Sequence, residues 1–104
     1  MNPNEIVKLG KRTVGEQLKQ VGWGQVRMGD QVPNPVDVVA MQGNSSLLVA
    51  VTPTVHPGVP GQIDRQKLDE LKRLAAQSNA ETYQAKVVIA PDMTKVTKIS
   101  WRKL

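Results

Sequence analysis

The chain contains no cysteine and no phenylalanine, a single histidine, and only three aromatic residues, Trp23, Tyr83 and Trp101. Without cysteine, disulfide scaffolds, thiolate zinc sites and cysteine nucleophiles are excluded. The one histidine, His56, lies in a Pro/Gly-rich stretch with no second His or Cys nearby, which makes a poor metal site and reads as an exposed loop residue. So few rings leave little to stack bases on, which counts against a single-strand binder that lines a sheet with aromatics. No apolar run approaches the roughly 20 residues that span a bilayer. The segment after Met1 has no apolar signal core, so the expectation is a cytoplasmic protein with no membrane partner. Gly58 and Gly61 are not followed by a Lys-Ser/Thr pair at phosphate-loop spacing, and none of Ser45, Ser46, Ser78 and Ser100 sits in a nucleophile elbow.

What is present is one domain's worth of chain, 104 residues with 14 Lys+Arg against 9 Asp+Glu. That length buries a single core, and the basic excess fits a polyanion without requiring one. Ile6, Val7, Leu9, Val14, Leu18 and Val21 recur at helical spacing, predicting a helix over 4–21 capped by Asn4 and stopped at Gly22-Trp23-Gly24. Gly10 and Gly15 weaken it by about 1 kcal/mol each if interior.

Residues 24–28 suit a short edge strand, and 30–35 read as a loop because Pro33 and Pro35 serve no central ladder. The β-rich runs 36–41 and 47–51 flank Gln42-Gly43-Asn44-Ser45, which has hairpin-turn chemistry. Their continuous apolar character predicts central strands covered on both faces. Residues 53–62, with three prolines and two glycines, read as irregular. Asp64 caps a predicted helix to about Ser78 with Leu68, Leu71 and Leu74 inward and Arg65, Lys72 and Arg73 outward. A buried strand over 84–90 and a last strand over 95–102 follow. In the latter, Val96, Lys98, Ser100 and Arg102 are expected on one face and Thr97, Ile99 and Trp101 on the other.

Asp37 at the start of the first central strand, the glycine turn, and the succession helix, three strands, helix, closing strands resemble the PD-(D/E)xK nucleases, and among them the Holliday-junction resolvases. The resemblance spans nearly the whole chain and implies one nuclease-like domain over 1–104. The implied architecture is α/β, with a restriction-endonuclease-like core whose central mixed sheet is flanked by two helices. In that family the first strand carries an Asp, and the second an acid, a spacer and a Lys. Here the triplet falls on Ala50, Val51 and Thr52, so a metal ligand and the water-activating lysine are both missing. The resemblance thus implies a catalytically degenerate domain that binds nucleic acid or serves a DNA-processing assembly as a structural subunit, with no cofactor.

Two alternatives stand beside that reading. One is an active Mg²⁺-dependent endonuclease in which Asp37 and Glu16 bind the metal, Lys67 of the second helix replaces the lost lysine, and Glu70 replaces the lost acid. Glu16 also fits as a solvated partner of Arg12 or Lys19. Asp37, between strand residues, is either held by hydrogen bonds near the strand end or a relic of a metal site. The other alternative is a protein-interaction module without nucleic acid. Candidate phosphate contacts are Lys8, Lys11, Arg12 and Lys19 on the first helix and Lys98 and Arg102 on the last strand. The expected partners are DNA, a second copy in a homodimer, or a different subunit.

Overall fold

The computed structural model describes residues 3–28, 32 and 36–104, with side chains from residue 5 on. Helix α1 (Pro3–Gln20) is followed by strands β1 (Gln25–Met28), β2 (Val38–Gln42) and β3 (Ser45–Val55), helix α2 (Arg65–Ser78), and strands β4 (Glu81–Ile89) and β5 (Val96–Lys103). The sheet order is β1-β2-β3-β4-β5, antiparallel except where β3 and β4 run parallel. A parallel pair needs a crossover, and α2 is that crossover. Over the described residues the protein is therefore α/β, a five-stranded mixed sheet with two helices. Among the described residues no helix is long and apolar enough to cross a membrane.

Helix α1 begins at Pro3, ahead of the Asn4 cap that the sequence suggested. Proline suits a first turn because its missing N–H would have no partner there. The helix runs unbroken through Gly10 and Gly15, and packing explains both. A β-carbon on Gly10 would meet Val51 and Pro53 at 3.3 and 3.5 Å, and one on Gly15 would strike the end of Met28. The glycines let α1 lie close on the sheet, where Leu9, Val14 and Leu18 join Val38, Ala40, Val49, Val51, Ala85, Val87 and Ile89. Full burial of each such valine, leucine or isoleucine side chain stabilises by roughly 1.5–3 kcal/mol. Gly22, at φ +109, ends the helix as expected.

The β2–β3 turn is the predicted one, Gln42 pairing with Ser45 around Gly43 at φ +58. The end of β3 overturns an expectation. Pro53 lies inside a strand between two neighbours, where proline is normally excluded. The register explains it. Asp37 N–H donates to Val49 C=O at 3.0 Å, so alternate residues of β3 aim their N–H at β2, and β2 has ended by the level of residue 53. Proline lacks a donor only where no acceptor waits, and the strand continues to Val55 along β4. The irregular segment is shorter than predicted, and the 30–35 loop lies, apart from Val32, outside the described residues.

Asp64 caps α2 as predicted, its carboxylate accepting from Gln66 N–H, and Asn79 closes the helix in the left-handed region. Leu71 and Ala75 are buried against Val36, Leu48 and Ala50, with Leu74 half-buried beside them. In β5 one predicted face is corrected. A register shift at Val88/Ile89 pairs Val96 with Ile89 and Lys98 with Val88, leaving Thr97 as the extra residue. Val96 therefore joins Ile99 on the α1 side, away from Lys98, Ser100 and Arg102.

Candidate functional site

Asp37 stands one residue before β2, where the sheet loses its second neighbour. Its side chain completes the ladder that β2 leaves unfinished. The carboxylate Oδ2 accepts Val51 N–H at 2.7 Å, taking the place of the next backbone carbonyl. Each helix then brings a lysine to the same group. Lys11 of α1 lies 3.5 Å from Oδ1, and Lys67 of α2 lies 3.3 Å from Oδ2. The Asp37 side chain is 14 % exposed and the two lysines 26 % and 32 %. This is an interior anchor at the level where α1, the sheet and α2 meet.

The anchor also answers a local misfit. Lys67 is in the first turn of α2, where the helix dipole disfavours a cation, and no acid shares that turn. Asp37 supplies a negative charge from the sheet, in addition to the Asp64 carboxylate at the N-cap.

The other residues of the inferred triplet carry no comparable chemistry. Ala50 is buried under Leu71 and Ala75. Thr52 accepts a hydrogen bond from Gln84 Nε2 at 2.9 Å. Glu16 is exposed on α1, and among the described residues no hydrogen bond or ion pair reaches it. Glu70 pairs with Arg73 at 2.7 Å, and among the described residues no contact joins it to Asp37. The hydrogen bond from Arg73 and its charge hold the Glu70 carboxyl below the usual glutamate value. Of the residues proposed for a relocated site, the structure thus brings together Asp37 and Lys67 only.

The implied divalent cation does not fit these residues. It needs oxygen ligands. The two Asp37 oxygens already face two ammonium groups and an amide, and neither Ala50 nor Thr52 adds a carboxylate. Among the described residues no three His, Cys, Asp or Glu side chains converge.

The six predicted phosphate contacts separate into distinct places. Lys8, Lys11 and Arg12 border a groove of about 860 Å³ with Leu9, Met28 and Met93 among its apolar lining. Lys19 lies eight residues beyond Lys11, about 12 Å farther along the helix. Lys98 and Arg102 are on the opposite face of the sheet, the one that carries α2. There they flank Lys86, which sequence reasoning missed because it sits in the apolar run Ala85-Lys86-Val87. Lys86 pairs across the strands with Ser100, between Lys98 and Arg102. Among the described residues none of these three cations has an ionic partner. The strict alternation of Gln84, Lys86 and Val88 against Ala85, Val87 and Ile89 was the available signal.

Gln84 was also missed. It is fully buried, donates to Thr52 and to Gly61 C=O at 3.2 Å, and leaves its own Oε1 without a protein partner.

Residues 4–102 match a family described as a domain of unknown function, DUF8840, and the chain belongs to that family. No curated protein matches it.

Proposed function

We propose that this DUF8840 member is a catalytically silent, nuclease-like domain that binds the phosphate backbone of nucleic acid. The observation that carries the reading is the occupation of Asp37. The carboxylate that the nuclease resemblance assigns to metal binding here accepts Val51 N–H and faces Lys11 and Lys67. Two fixed ammonium groups supply beside it the positive charge that a divalent ion supplies in the active family. The order of elements supports the same reading, since a helix, a three-stranded meander, a crossover helix and closing strands are what the resemblance implies.

Binding is assigned to the sheet face beside α2. Lys98 and Arg102 are four residues apart on one strand, about 13 Å, with Lys86 diagonally between them at about 7–8 Å from each. That spacing suits successive phosphates of one strand, and fixed strands hold it without ordering a loop. Electrostatic contact of this kind reads charge and leaves sequence unread.

The test is anisotropy of a labelled four-way junction and a linear duplex over a series of salt concentrations. Gel analysis of the same substrates follows in Mg²⁺ or Mn²⁺, for wild type and Asp37→Asn. Salt-sensitive binding without cleavage is expected. Metal-dependent cleavage lost in Asp37→Asn would establish instead an active nuclease using Lys67, which already lies within reach of Asp37. Absence of binding to both substrates at low salt would overturn the nucleic-acid reading and leave protein interaction.

A further inference from the structure

The chain's entire aromatic complement, Trp23, Tyr83 and Trp101, converges on one cavity of about 310 Å³ at the end of the sheet where α1 finishes. Three rings drawn from β5, β4 and the α1–β1 turn meet there with Leu18, Val21 and Leu47. The cavity is open to water, with Val21 69 % exposed and Trp101 37 % exposed. Two of the rings meet at an angle. Tyr83 and Trp101 have centroids 6.5 Å apart and planes inclined by 78°. Trp101 is fixed in that pose by its indole N–H, which donates to Gln17 Oε1 at 3.1 Å. Among the described residues one charged side chain lines the cavity, and it is an acid, Glu81.

We infer that this cavity is a binding site for a small quaternary ammonium. Rings set at a corner surround a compact cation better than they sandwich a flat base, and their π-faces attract positive charge. Glu81 adds the matching negative charge at the wall, and would repel a phosphate. Glu81 already attracts an ammonium from outside the cavity lining. Lys103, the cross-strand neighbour of Tyr83, places its Nζ 3.7 Å from Glu81 Oε1. Both side chains are well over half exposed, so this pair is weak and yields to a better-fitting cation. Lys103 thus competes for the Glu81 carboxylate and not for the space between the rings. The site is independent of the nucleic-acid reading, which uses the other face of the sheet.

The test exploits a convenience of composition: both tryptophans of the chain line the cavity, so intrinsic fluorescence reports it directly. Tetramethylammonium chloride is titrated against sodium chloride at constant ionic strength. The net charge of +5 disfavours diffuse cation accumulation, so saturation reports a site. A ligand of so few heavy atoms is expected to bind with Kd on the order of 1 mM. Lys103→Met is expected to tighten binding and Glu81→Gln to weaken it, each by about threefold, and Trp101→Leu to weaken it by about tenfold. The neutral analogue 3,3-dimethyl-1-butanol is expected to bind more weakly than choline. The inference is overturned by a flat titration in both wild type and Lys103→Met, by equal affinity for choline and its neutral analogue, or by indifference to both charge substitutions. Glu81 and Lys103 are exposed, so their substitution leaves the fold intact even if Trp101→Leu does not.

Discussion

Lys67 Nζ lies 3.3 Å from Asp37 Oδ2, the same oxygen that takes Val51 N–H at 2.7 Å. One atom thereby ties the crossover helix to the unfinished edge of the central strand, while Oδ1 holds α1 through Lys11. Asp37→Ala removes the acceptor and leaves two ammonium groups without their shared counter-ion, so it is expected to destabilise by roughly 2 kcal/mol, a figure moderated by the partial exposure of both lysines. Asp37→Asn keeps an oxygen for Val51 and is expected to cost about half as much. Urea denaturation of the two variants checks the order. Equal stability of Asp37→Ala and wild type would reduce Asp37 to a bystander.

Much of this architecture was legible because the relevant signals are local. The apolar spacing of Leu9, Val14 and Leu18, the Gly43 turn and the Asp64 cap each act within a few residues, and each element appears where they place it. What sequence reasoning missed depends on where chains end relative to one another. Pro53 is permitted in β3 only because β2 stops short, and Val96 changes face only because of an extra residue at Thr97. Asp37 was singled out for its place in the resemblance, but its partners are 26 residues upstream and 30 downstream, reached by long and adaptable lysines whose direction no spacing rule fixes. Lys86 was hidden by its apolar neighbours.

The nucleic-acid reading gives a quantitative expectation for the sheet face. Neutralising Lys86, Lys98 and Arg102 one at a time to glutamine is expected to weaken duplex binding and to reduce the slope of log K against log salt by about 0.9 for each phosphate left without its cation. Lys19→Gln, on the opposite side of the sheet, is expected to leave the slope unchanged. A slope that responds to Lys19 and is blind to Lys86 would move the interface to α1.

Gly10 sets the distance between α1 and the sheet. Alanine there gains about 1 kcal/mol of helix propensity and loses part of it against Val51, whose branched side chain has little room to yield. Gly10→Val presses further into the same wall and is expected to destabilise by roughly 2 kcal/mol. Thermal unfolding of the pair checks this, and a Gly10→Val protein as stable as Gly10→Ala would show that the helix lifts away freely.

The turn between β4 and β5 offers a titration with a defined sign. Asp92 Oδ1 accepts from the Thr94 hydroxyl at 2.8 Å and from Thr94 N–H at 3.1 Å, pinning a turn in which Met93 adopts φ +62. Those bonds, the hydroxyl first, favour the ionised carboxylate and hold its pKa below the ordinary aspartate value of 3.8. A carboxyl depressed on folding binds fewer protons in the folded state. Its stabilisation is therefore complete above 3.8 and disappears as pH falls through the lower folded value. Thr94→Val removes the hydroxyl and keeps the amide, so the Asp92 midpoint is expected to rise toward 3.8 without reaching it, and Thr94→Ser is expected to restore it. Carboxyl-carbon NMR across the acid range measures all three. An unmoved midpoint in Thr94→Val would assign the depression to the backbone amide or to nearby Lys95, and the turn would then owe its acid sensitivity to the chain and not to the threonine side chain.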